Sequence, residues 1–157
     1  LALSITDIAS AFRSAGQLVD AAKAEAEEIS EARDEEELKA LKEAWGQTGS
    51  RLAQGGSKAV KELEKEQKSR STRMVRDYLD QALLDIVTLY RDILLVQSGK
   101  SGDSVNSDLT NEIDKVAAST TSESTLRKIE AIMKARINLA HNAAPLITVE
   151  ALMVQLK

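Results

Sequence analysis

Between Arg76 and Gly99 the chain reads RDYLDQALLDIVTLYRDILLVQSG, and its apolar residues recur at helical spacing on two sides. Val75, Leu79, Ala82, Leu83, Ile86, Tyr90, Ile93 and Leu94 share one face, and Leu84, Val87, Leu95 and Val96 add a second stripe. The segment is too apolar for a surface helix and too interrupted by charge to cross a membrane. The pattern predicts the central helix of a bundle.

The same periodicity organises the rest of the chain. A first helix is expected to start at a Ser4 or Thr6 cap and to run through Ile5, Ile8, Phe12, Ala15, Val19, Ala22, Ala26 and Ile29. Residues 30–37, SEARDEEE, hold no large apolar side chain, and Leu38, Leu41 and Trp45 resume in a shifted phase, so the helix should bend or restart there. Gly46 ends it, and the glycine- and serine-rich residues 47–57 read as an exposed connection. The central helix should begin near Ser57. Beyond Gly99, Asn106 or Ser107 is positioned to cap a short helix from Asp108 to about Ala118, and Thr121 or Ser122 to cap a fourth. That fourth helix shows Leu126, Ile129, Met133, Ile137 and Ala140 on one face, with Ile132 and Leu139 beside it. Pro145 suits the first turn of a last helix, whose inner face would be Leu146, Val149, Leu152 or Met153, and Leu156. The expected fold is an all-α five-helix bundle forming a single domain over residues 1–157.

Charge adds one feature to this picture. Residues 58–76 hold seven basic and three acidic side chains, whereas residues 20–43 hold ten acidic and four basic ones. Opposite signs invite antiparallel pairing, so a long charged helical hairpin is expected over residues 30–72, between the first two helices. With 157 residues and 43% hydrophobic content, the chain can bury a core without cross-links. It has no cysteine, which excludes disulfides, thiolate metal sites and cysteine nucleophiles and suits a cytoplasmic location. No apolar run reaches the roughly eighteen residues of a membrane span. The chain begins at Leu1 in helical pattern, as an excised part of a longer protein would.

Catalytic signatures are missing. No phosphate-binding glycine loop or H-E-x-x-H occurs, and His141, the sole histidine, falls where it suits a helix C-terminus. No cofactor or metal is expected. Lys58, Lys61, Lys65, Lys68, Arg70 and Arg73 form the one candidate anion or partner contact; ion-pairing within the hairpin competes with nucleic-acid binding as their role. A closed monomeric bundle needs one inner face per helix, so the extra apolar residues Leu84, Val87, Leu95, Val96, Ile132 and Leu139 suggest a subunit interface. A deeply central helix in a closed monomer would account for them equally.

Three segments in order, KELEKEQKSRSTR at 61–73, LYRDILLVQSG at 89–99 and TLRKIEAIMKARINLAHNAAPLITVEALMVQLK at 125–157, resemble the C-terminal collar domain of the bacterial DNA polymerase III delta-prime subunit, its actinobacterial members above all. Tyr90, Arg91, Asp92 and Ile93 match the centre of a family helix, and Asn142 and Pro145 match the approach to its last one. The resemblance implies a module that packs beside other clamp-loader subunits, gamma or tau and delta, in a pentamer that places the sliding clamp on primed DNA. It implies no ATP site in this part, no small-molecule substrate and no membrane partner. The charged hairpin exceeds what a minimal collar requires and is expected to be a contact arm for a further partner. The collar of gamma, tau or delta, or a regulatory helical domain binding nucleic acid through residues 58–76, are the alternatives.

Overall fold

The computed structural model describes residues 5, 7–45, 55–100 and 104–157. Among these the chain is all-α, with five α-helices and no strand: α1 (Ile8–Ala44), α2 (Gly56–Gln97), α3 (Thr110–Ser119), α4 (Ser122–Ala140) and α5 (Pro145–Leu156). A single 3-10 turn, Ser107–Leu109, precedes α3. The chain divides into two compact units, one made of residues 1–20 and 79–157 and the other of residues 21–78, so α1 and α2 each contribute to both.

Local chemistry explains the helix starts. Asp7 opens α1 with a reciprocal cap: its carboxylate accepts the Ser10 backbone N–H at 2.7 Å, and the Ser10 hydroxyl accepts the Asp7 N–H at 3.0 Å. The expected caps Ser4 and Thr6, like Gly46 and the connection to residue 54, lie outside the described residues. α1 continues without a break through residues 30–37, where the loss of apolar side chains suggested a bend. Strong helix formers such as alanine and glutamate hold the backbone there without an inner stripe. Thr121 caps α4 as expected, its hydroxyl accepting the Ser124 N–H at 3.2 Å, and Pro145 occupies the first turn of α5.

In the first unit, Leu79, Leu83, Tyr90 and Ile93 of α2 are buried as their spacing predicts, together with Ile113 and Ala117 of α3 and Val149, Leu152, Met153 and Leu156 of α5. The α1 turns in this unit bury Ala11, Ser14, Ala15 and Val19, whereas Ile8 and Phe12 are about half exposed. The inner edge is therefore made of small side chains, which let another helix approach closely. α4 is rolled away from expectation: Thr125, Ile132, Ala135 and Leu139 face inward, and Leu126, Met133 and Ile137 face out. Both stripes are apolar, so hydrophobicity alone does not choose between them. Polar anchors do. The Thr125 hydroxyl donates to Gln97 Oε1 at 3.1 Å, Arg136 grips Asp80 of α2 through Nε at 2.7 Å and Nη2 at 2.9 Å, and Lys128 Nζ donates to the Leu156 carbonyl at 2.7 Å.

The second unit pairs the distal turns of α1 with the proximal turns of α2. Arg70 bridges Asp34 and Glu37, the latter at 2.6 Å, and Gln67 Nε2 donates to the Asp34 carbonyl at 2.9 Å. Just past α1, Trp45 lies against Gly55 at the start of α2, whereas Asp34 lies against Gln67 and Arg70, so the two segments are antiparallel. Gly55 turns into α2 with φ +95°, and a Cβ there would stand 3.2 Å from the Trp45 ring.

Candidate interaction surfaces

The six residues expected at a subunit interface separate into two groups. Ile132 and Leu139 are fully buried in the first unit and are core residues, which corrects their assignment to a surface. The roll of α4 set by Thr125, Lys128 and Arg136 carries them inward. Leu84, Val87, Leu95 and Val96 are half-buried on α2 and retain accessible area.

The apolar surface that is most open lies elsewhere. α5 has the sequence PLITVEALMVQL, and besides its buried residues it leaves Leu146, Ile147 and Val154 exposed, Ile147 at 68%. Leu146 thus departs from its expected inner position. A helix with apolar side chains on its outer as well as its inner side normally belongs inside a core. On α4, Leu126, Met133 and Ile137 form a second exposed line at helical spacing. Both surfaces were latent in the sequence as an apolar excess on the last two helices; only the roll of each helix shows which residues carry it.

The basic stretch is divided in a similar way. Arg70 is three-quarters covered and committed to Asp34 and Glu37. Its guanidinium, then that of Arg33, holds the Glu37 carboxyl well below the ordinary range, at about 2. Lys58, Lys61, Lys65, Lys68 and Arg73 are exposed, and Lys58 reaches only Glu62 of its own helix, at 4.0 Å. The structure therefore gives Arg70 a pairing role and leaves the other five facing solvent.

Within the first unit the connection from α2 to α3 is organised by Asp92, whose side chain is fully buried. One oxygen, Oδ2, accepts from Ser104 Oγ at 3.0 Å, from the Val105 and Asn106 backbone N–H groups at 3.0 and 2.8 Å, and from Asn106 Nδ2 at 2.7 Å. Burial pushes this carboxyl up, but the bonds from Asn106, Val105 and Ser104 together hold it below the ordinary aspartate value. Asn106 thus serves Asp92 instead of capping the turn that follows. Burial alone pushes the neighbouring Tyr90 phenol up to about 12. Lys128 sits 5.8 Å from the centre of the Tyr90 ring, and burial lowers its own pKa.

A cavity of about 510 Å³ beside this connection is lined by Val96, Gly99, Ser104, Ser107, Thr110, Ile113 and Asp114. His141 ends α4, with Nδ1 2.8 Å from the Ile137 carbonyl, the capping position its place in the sequence suggests. No group of three or more potential metal ligands occurs among the described residues, and none of the described helices is long and apolar enough to cross a membrane. Compared with known proteins, the chain matches no family model, no curated protein and no solved structure.

Proposed function

We propose that this chain is a non-catalytic oligomerisation module of a multisubunit assembly, of the kind found in the delta-prime collar of the bacterial clamp loader. One observation carries the reading: α5 buries one apolar face and still leaves Leu146, Ile147 and Val154 in solvent on its outer side, where Glu150 and Gln155 are its charged and amide side chains. Such a surface is stable when a neighbouring subunit covers it, because exposed apolar area associates in proportion to the water it releases. In this reading the partners are the gamma or tau and delta subunits, the assembly acts on the sliding clamp and primed DNA in the cytoplasm, and catalysis belongs to ATPase modules elsewhere in the complex.

The test is reconstitution. The chain should co-migrate with the remaining clamp-loader subunits on a sizing column, and Ile147→Asp should weaken that assembly while leaving helicity and melting unchanged. Absence of any complex with the wild-type chain would overturn the proposal. The exposure of Lys58, Lys61, Lys65 and Lys68 supports a second reading as a helical regulator that binds nucleic acid. That reading predicts DNA binding that falls steeply with salt and is lost in a Lys61→Glu/Lys65→Glu variant, with no affinity for clamp-loader subunits.

A further inference from the structure

The outward face of α4 carries a charge pattern that complements itself. Leu126, Met133 and Ile137 lie along one line, each between 40% and 56% exposed. Beside them, along a single edge of the helix, run Glu123, Glu130, Lys134 and His141, all exposed. Neither Glu130 nor Lys134 has an ion-pair partner among the described residues, and neither is among those with a further interaction. The other edge carries Arg136, whose guanidinium is already occupied by Asp80.

When two identical helices pack antiparallel about a two-fold axis, the same edge of each helix faces its equivalent, and residues equally far from the axis meet across it. An axis level with position 132 brings Glu130 of each copy opposite Lys134 of the other. The same register seats Leu126 beside Ile137 and brings Met133 next to its own equivalent, while Glu123 keeps its pair with Arg127 Nη1 of its own helix at 2.9 Å. No other register satisfies Glu130 and Lys134 twice over while also stacking the apolar line on itself.

We propose that the exposed face of α4 is a self-association surface whose occupant is α4 of a second copy of this chain, packed antiparallel with reciprocal Glu130–Lys134 pairs. The pairing stands apart from the assembly proposed for α5, because it uses none of the exposed α5 residues. A single helix pair lies at the small end of specific interfaces, so the dimer is reversible and concentration-dependent.

Sedimentation equilibrium of the whole chain at rising concentration tests this. The wild type should pass from monomer to dimer below about 1 mM. Glu130→Lys and Lys134→Glu each place like charges opposite one another at two points, and each should weaken dimerisation about tenfold. An equimolar mixture of the two variants should recover dimers, and the double exchange should dimerise like wild type. Ile147→Asp should leave the dimer intact, which separates this result from any failure of the hetero-assembly. These are surface positions, and circular dichroism confirms that each variant is folded. A wild type that stays monomeric throughout, single variants that dimerise unchanged, or a mixture that gains nothing over its components would each overturn the proposal.

Discussion

Replacing Asp92 with asparagine changes almost no volume and removes one charge from the point that anchors the α2–α3 connection. Four donors converge on Oδ2, two of them backbone N–H groups, at 2.7 to 3.0 Å. Hydrogen bonds to an ionised group contribute about 1.5–3 kcal/mol each, against about 1 for neutral partners. An amide that turns its oxygen to the donors keeps the bonds in their weaker form, and one that turns its nitrogen to them loses all four. Two effects reduce the damage. Val105 is 64% exposed, so water reaches the loop once it loosens, and Oδ1 has no hydrogen-bond partner, so removing the charge relieves part of its burial penalty. The net loss expected for Asp92→Asn is about 2 kcal/mol, a fall of roughly 4–8 °C in melting temperature for a chain of this size.

The pH dependence gives that number a signature. The folded-state pKa of Asp92 lies below its unfolded value of about 3.9, so the stabilisation is complete above that value and is lost as pH falls through the folded pKa. Wild type and variant should therefore differ fully at neutral pH and converge in acid. Urea unfolding followed by far-ultraviolet circular dichroism across that range measures it. A difference below about 0.5 kcal/mol at neutral pH, or one that does not change on acidification, would refute the anchoring role.

The remaining predictions concern other contacts. Ile132→Ala should cost about 2–4 kcal/mol in chemical unfolding because it opens a cavity in the first unit, whereas Ile147→Ala should stay within about 0.5 kcal/mol. Equal effects would show that α4 or α5 is rolled differently. Carboxyl-carbon NMR should find Glu37 titrating at about 2, and Arg70→Met should return it toward about 4.3. Because the folded value is depressed, the Glu37 contribution to pairing in the second unit is present above its ordinary pKa and fades as pH falls toward 2. Lys128→Met should lower stability by about 1 kcal/mol and raise amide exchange in the last turn of α5, since the Leu156 carbonyl loses its donor. Unchanged exchange there would remove Lys128 as a cap of that helix.

The fold class, the number of helices, the buried face of α2 from Leu79 to Ile93, a cap at Thr121 or Ser122 and the place of Pro145 are all legible in the order of residues. These follow from local propensity, from the helical repeat and from backbone groups that one nearby side chain can satisfy. That order also foretold pairing between acidic α1 and basic α2, because opposite charge on two long helices is legible without coordinates, although it did not single out Arg70. The roll of helices that are apolar on more than one side was set by packing in three dimensions instead. Leu126, Met133 and Ile137 match the helical repeat as well as Ile132 and Leu139 do, and the choice between them fell to Gln97, Asp80 and the Leu156 carbonyl, which are remote in sequence from the α4 residues they hold. The same holds for Asp92 and Asn106: fourteen positions apart, they meet only because the chain turns back on itself, and no local pattern records that a buried carboxylate waits there for the loop.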